Sequence, residues 1–170
     1  PLLLDDRRLG GLIDELESIP HVRRLRIHSR VPVVLPARVT DELVQRLSTS
    51  RLRSVIVIHA NHPRELDDVV ARSLGMLAAA PALLLNQAVL LAGVNDSVAV
   101  QQALAERLID VGVLPYYLHL LDRVSGAAHF EVSETHARAL HEDLRGRLPG
   151  YAVPRLVRDV PGAASKHWLA

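Results

Sequence analysis

Ser54-Val55-Ile56-Val57-Ile58-His59 is a short apolar run, rich in β-branched residues, that ends on a polar side chain. Continuous rather than alternating hydrophobicity marks a parallel strand buried on both faces. Ala82 to Asn86 and Leu114 to Leu121 read the same way, and Arg24 to His28 alternates leucine and isoleucine with basic residues, as a strand does. Helical spacing fills the gaps. Asp5 to Ser18 puts Leu9, Leu12, Ile13 and Leu16 on one face. Thr40-Asp41-Glu42 predicts a helix start, with Leu43, Val44 and Leu47 as its apolar stripe. Pro63 predicts a helix opening at its first position, continued by Leu66, Val69, Val70, Leu74 and Leu77. Asp96 or Ser97 caps a helix carrying Val98, Leu104, Leu108 and Val111, closed by Gly112. Ser133 opens a last amphipathic helix that ends near Gly146, and Tyr151 to Val157 resembles one more strand before the loop Pro161-Gly162-Ala163-Ala164.

The strands recur at roughly 30-residue intervals, the length of a βαβ unit. Helices alternate with strands throughout, so the predicted class is α/β. On rhythm alone a flavodoxin-like domain is an alternative to a partial barrel. Its acidic pocket after the first strand is missing, because that strand ends His28-Ser29-Arg30.

Composition narrows the function classes. The 170 residues are 49% hydrophobic and 23% charged, as a folded globular chain requires. Twenty basic and 19 acidic residues leave a formal charge of +1, which gives no electrostatic case for nucleic acid or an acidic membrane surface. The basic run His21-Val22-Arg23-Arg24-Leu25-Arg26 reads as a solvated face. There is no cysteine, so no disulfide and no thiolate metal site is expected within the chain. No run approaches the roughly 18 apolar residues of a membrane span. Pro1-Leu2-Leu3-Leu4-Asp5-Asp6 lacks a basic region and a cleavage signal, so it does not read as a secretory peptide. It also lacks an initiator methionine, and the expectation is a cut inside a longer protein.

The polar residues gather where strands end. The first strand ends His28-Ser29-Arg30, the second His59-Ala60-Asn61-His62, and the third Asn86-Gln87, while the fourth runs into Asp122-Arg123. In parallel α/β sheets and barrels, the carboxyl ends of the strands build the active site. Each piece also has a plainer reading. His59 and His62 lack a third ligand for zinc. His119 reads as a satisfied strand histidine, and His136 and His141 as solvated surface. Asn86-Gln87 could tie down a strand end instead of binding a ligand. Gly93-Val94-Asn95-Asp96 reads as a turn and cap, since Asp96 would repel a phosphate. Lys166 follows a loop of small residues and could swing its amine into a pocket for Schiff-base chemistry, although by position alone it reads as a surface lysine.

Several segments resemble the lysine 2,3-aminomutase family. They are Arg26 to Thr40, His59-Ala60-Asn61-His62-Pro63-Arg64-Glu65, Leu85 to Asp96, Pro115 to Asp122, Gly126-Ala127-Ala128-His129-Phe130, and Gly150 to Lys166. The resemblance runs from end to end in one order. The wording of residues 28–30 and 120–130 is similar to the branch that β-lysylates elongation factor P. The resemblance implies a partial (βα) TIM-like barrel of the radical-SAM type over residues 1–149 and a segment carrying a pyridoxal phosphate lysine over 150–170. It implies that Lys166 holds pyridoxal 5'-phosphate and that Asp122 and Asp159 grip the side-chain ammonium of L-lysine. His59, Gln87, Ser29 and Arg30 would stand on the S-adenosyl-L-methionine side. A 4Fe–4S cluster would supply the radical, with its ligands outside this chain, because the family's Cys-x3-Cys-x2-Cys motif is absent here. Cytoplasmic L-lysine would become β-lysine and pass to an elongation factor P lysine ligase. An exposed barrel edge would favour a homo-oligomer. Free-lysine metabolism and a non-catalytic binding remnant are the alternatives, and the chain by itself is expected to be inactive. Ala88 stands where the family has serine, Ala92 where it has arginine, and His167-Trp168-Leu169 where it has Thr-Pro-Leu.

Overall fold

A computed structural model describes residues 2–122 and 125–170. Arg123, read above as part of the fourth strand's end, and Pro1, the first residue of the start read above, lie outside the described residues. Helix α1 (Asp6–Glu17) leads to β1 (Arg24–His28), the short α2 (Val31–Val34), α3 (Asp41–Thr49) and β2 (Arg53–Ile58). Then come α4 (Asp68–Ala79), β3 (Ala82–Leu90), α5 (Val98–Asp110), β4 (Leu114–Leu120), α6 (Glu134–Arg145), β5 (Arg155–Arg158) and β6 (His167–Trp168).

All six strands form one sheet in the order β1-β2-β3-β4-β5-β6. The first five run parallel, and β6 turns back antiparallel to β5. Right-handed crossovers that always step to the next strand place every helix on the same face. The sheet therefore curls as a half-barrel, without the change of direction that a flavodoxin-like order has. The face toward the helices is the core, where Ile27, Ile56, Ile58, Leu84, Leu118 and Leu156 are all buried. Period-two alternation turns Arg26, His28, Val55, Leu83, Gln87 and His119 to the other, concave face. Among the described residues no helix covers that face, and Leu83 remains 48% exposed on it.

Side-chain caps explain most helix starts. Asp5, Thr40, Ser97 and Ser133 each accept a backbone N–H of the first turn of the helix that follows. Helix α5 closes as its sequence predicts. Gly112 adopts φ +77°, its N–H reaches Ile109 and the Val113 N–H reaches Leu108, which is a Schellman closure. A Cβ on Gly112 would also stand 3.3 Å from that of Ala78.

Four sequence expectations need correction. Pro63 opens only a 3-10 turn over Pro63–Glu65, because Asp67 supplies the true cap, accepting from Val69 and Val70, and α4 starts at Asp68. Strand β3 does not end at Asn86-Gln87 but runs on to Leu90, since Ala88, Val89 and Leu90 sustain the ladder with β4. Its register with β4 shifts between Asn86 and Gln87, so Tyr116 is the extra residue of a bulge. Leu12 faces solvent, while Leu9 and Ile13 carry the buried stripe of α1. His141 is buried, and its Nε2 lies 2.8 Å from the Pro154 carbonyl, tying α6 to the approach of β5.

Buried amides lock the loops after β2 and β3. Asn86 exchanges both its amide groups with the Ala60 backbone at 2.9 and 3.0 Å. Asn95 is 0% exposed, donates to the carbonyls of Asn61 and Val89, and accepts from the Leu91 N–H. Removing that side chain leaves backbone groups unpaired in the interior, where each costs about 1–3 kcal/mol. Asn95→Ala is therefore expected to lower unfolding stability by about 3 kcal/mol or more, and the cap variant Ser97→Ala by about 1 kcal/mol. Urea unfolding checks both values, and equal losses in the two variants would contradict the network's role.

Candidate functional site

Strand β4 places Tyr117 and His119 on the concave face. Beside it, β5 ends at Arg158, and Asp159 follows at its carboxyl end. The chain then turns at Pro161-Gly162, with Gly162 at φ +80°, and returns as β6. Pairing of Arg158 with His167 and Val157 with Trp168 sets the mouth of this hairpin. Asp159 and Lys166 consequently face each other across it. The Lys166 ammonium lies 2.8 Å from both carboxylate oxygens of Asp159 and 5.6 Å from the Tyr117 ring centre. Its side chain is 27% exposed, so the surface reading made from position alone is too simple.

The hairpin is anchored from below. Leu169 is buried, its N–H donates to the Leu156 carbonyl at 2.9 Å, and its own carbonyl accepts from Arg138. Arg155 stacks on the Trp168 ring at 4.5 Å. His167-Trp168-Leu169, the triplet that departs from the family wording, thus forms the short strand and its anchor.

His119 touches the pair from the sheet. The residue is 5% exposed, and Nδ1 lies 3.4 Å from Asp159 Oδ2. Its Nε2 is buried with no hydrogen-bond partner among the described residues, so the expected satisfied strand histidine is not what stands here. Asp122 and Asp159 line one cavity of about 660 Å³, together with Glu131 and Arg158.

The residues assigned by resemblance to the S-adenosylmethionine side divide into two groups. Ser29 Oγ accepts the Val31 N–H at 3.2 Å and starts α2. Arg30 pairs with Glu65 at 3.6 Å, and Glu65 Oε1 accepts the N–H groups of Asn61 and His62. His59 Nε2 lies 3.1 Å from Asn61 Oδ1. These groups form one cluster beyond the ends of β1 and β2. Gln87 stands apart, inside β3 on the concave face, and its Oε1 is buried without a partner among the described residues. Sequence reasoning missed Glu65 and Asn61 as organisers of this cluster.

Electrostatics keep the concave face poor in extra positive charge. Burial, followed by the Lys166 ammonium, holds His119 below the ordinary histidine value, against the opposing pull of Asp159 and Asp122. Burial, then Arg26 and Lys166, does the same to His28. Burial and Arg30 lower His59, opposed by Asn61 and Glu65.

Two observations bear on cofactors. Lys166 is the only lysine in the 170 residues, the other 19 basic side chains being arginine, and only an amine can form an imine. Together with the buried, unpartnered atoms of His119 and Gln87, that fits a polar carbonyl cofactor. An iron–sulfur cluster does not fit this chain. It has no cysteine, and among the described residues no group of histidine and carboxylate side chains could hold a metal.

A histidine depressed in the folded state stabilises the fold above its unfolded value of 6.5 and destabilises it as pH falls below. Stability is therefore expected to drop between about pH 7 and pH 5. His119→Gln should shallow that drop, as read by urea midpoints across the range, and an unchanged slope would contradict the burial of a neutral imidazole.

No family model matches the chain. A protein of Haemophilus influenzae named L-lysine 2,3-aminomutase is 47% identical over 98% of this chain and 49% of its own length. The protein of that name from Escherichia coli is 46% identical over 98% of this chain and 48% of its own. The one from Clostridium subterminale is 42% identical over 97% and 39%. The chain thus spans about half the length, or less, of the relatives it matches. Near-complete coverage of this chain at such identity places it in the L-lysine 2,3-aminomutase family.

Proposed function

We propose that this chain is the part of an L-lysine 2,3-aminomutase that binds the lysine side chain and carries pyridoxal phosphate on Lys166. The supporting observation is the meeting of the sole lysine, Lys166, with Asp159 beside the cavity that Asp159 shares with Asp122. Pyridoxal phosphate, bound through an amine, delocalises an unpaired electron on the neighbouring carbon skeleton.

The chain's own residues would work by exchange. Asp159 holds the Lys166 ammonium. A lysine substrate brings a second ammonium of the same chemistry, which Asp159 and Asp122 would grip. Two carboxylates around one cation give charge-assisted hydrogen bonds and fix how far the substrate reaches. Once the Lys166 amine is taken up in bonding the cofactor it no longer carries the ammonium charge, and Asp159 would be left for the substrate's ammonium. The hairpin loop of small residues before Lys166 lets its side chain move between these partners.

His59, Gln87, Ser29 and Arg30 are proposed on the S-adenosylmethionine side, with Gln87 Oε1 the best placed because it is buried and unpartnered. The cluster that cleaves S-adenosylmethionine needs thiolates from outside this chain, so no step of it is assigned to these residues. The sequence wording at residues 28–30 and 120–130 supports a β-lysine product destined for an elongation factor P lysine ligase in the cytoplasm. Free-lysine metabolism is the rival destination. The open edge of β1, which among the described residues pairs only with β2, is the place where further strands or a second copy would join. Absence of cysteine favours a second reading for this chain in isolation, as a binding part without radical chemistry.

The test uses the complete protein, reduced and supplied with S-adenosylmethionine, with β-lysine measured from L-lysine. Lys166→Ala is expected to lower turnover by about a thousandfold or more, as loss of a covalent catalytic group does. Asp159→Asn is expected to raise the lysine KM by about tenfold or more. Turnover by Lys166→Ala within a factor of about ten of the unaltered protein would overturn the assignment.

A further inference from the structure

The side chain left over after this assignment is His119. It is buried, it belongs to the ladder rather than to a loop, and one of its nitrogens has no partner among the described residues. We infer that His119 is a positioning residue that orients the Asp159 carboxylate for the side-chain ammonium of a lysine-class substrate, facing it with a protonated Nδ1. The inference rests on the reading of Asp159 as part of the lysine site.

The geometry follows from register. His119 pairs with Val157, and Asp159 lies two residues further along, on the same side of the sheet. The imidazole therefore reaches toward the carboxylate, and Nδ1 comes within 3.4 Å of Oδ2. That same oxygen lies 2.8 Å from the Lys166 ammonium. Tyr117 meets the ring edge-on, with centres 5.6 Å apart and planes at 78°. A bare Nδ1 lone pair aimed at a carboxylate would be repelled, so the proton sits on Nδ1. A neutral imidazole carries one proton, which leaves Nε2 as an acceptor. The charged and titratable groups around the ring are Lys166, Asp159, Asp122 and His59, with Tyr117 at its edge.

This arrangement separates two tasks on one carboxylate. Lys166 is a cation that must leave, and His119 is a donor that stays. With Lys166 gone and no fixed donor, the Asp159 side chain would be free to rotate into the open cavity it lines. With His119 in place, the carboxylate keeps its orientation between one ammonium and the next. The gain is preorganisation of the substrate site, which appears in binding rather than in the chemical step.

The test is a set of His119 variants in the complete protein, read as KM and kcat for L-lysine. Asparagine reproduces a donor at the Nδ1 position, glutamine at the Nε2 position, and phenylalanine keeps the ring without either. His119→Phe and His119→Gln are expected to raise the lysine KM about tenfold with kcat within about threefold, and His119→Asn to restore KM to within about threefold. In an Asp159→Asn background, His119→Phe should add no more than about twofold, because the two act as one unit. Rescue by glutamine in place of asparagine, or an undiminished effect of His119→Phe in the Asp159→Asn background, would overturn the inference. A readout that does not need the variants to fold is ¹⁵N-histidine NMR of the unaltered protein. It should show the Nδ1–H tautomer of His119 at neutral pH, and an Nε2–H tautomer or an imidazolium would overturn the inference. A lysine KM unmoved by Asp159→Asn itself would instead sink the underlying site reading. A strong Asp159 effect with a silent His119 would sink this inference alone.

Discussion

Three asparagine side chains fix where the strand ends of this half-barrel lie. Asn86 clasps the backbone of Ala60, Asn95 bridges Asn61 and Val89, and Asn61 in turn accepts the Val89 N–H at 2.9 Å. Gln101 extends the set by donating to the Asn95 carbonyl from the next helix. Parallel strands offer no hairpin to hold their ends in register, so the loops that leave them need other partners. Amides suit the purpose because each carries both donors and acceptors and stays neutral when buried. The polar cluster beyond β1 and β2 is referenced to this frame. His59 contacts Asn61, Glu65 gathers the Asn61 and His62 N–H groups, and Arg30 reaches Glu65.

A second constraint comes from winding. Strands added always in the same direction leave one face of the sheet without helices. In this chain that face collects polar and titratable side chains at its carboxyl end, while the helix-covered face is almost wholly aliphatic. A cationic side chain on a bare face would ordinarily be solvated. Lys166 is drawn back by the β5–β6 hairpin and paired with Asp159, and His119 supports the carboxylate from β4. The pair is half-open, so its strength is moderated by solvent, and exchange of one ammonium for another is cheap. That is the physical basis for proposing a lysine-exchange site rather than a structural salt bridge.

Much of the fold was legible in the sequence. Alternation located the first strand and apolar runs the next three, and Ser133, Thr40 and Gly112 marked helix boundaries through cap chemistry that acts locally. Pro63 misled because Asp67 offered a better cap a few residues on. Asn86-Gln87 looked like a strand end because polar residues usually are. A buried amide with backbone partners at a distance of 26 residues cannot be seen from its neighbours. His141 and His119 were misjudged for the same reason, since burial is set by β5, which is short and lies far along the chain. For Lys166 a plain signal was available, namely that no other residue of its type is present.

The claim on which the account turns is that Lys166 is the amine that bonds the cofactor. The most direct measurement is peptide mapping of the complete protein after incubation with pyridoxal phosphate and borohydride reduction. A phosphopyridoxyl mass is expected on the peptide containing Lys166, diminished when excess L-lysine is present during reduction. A label confined to other lysines of the complete protein, with Lys166 unmodified, would contradict it.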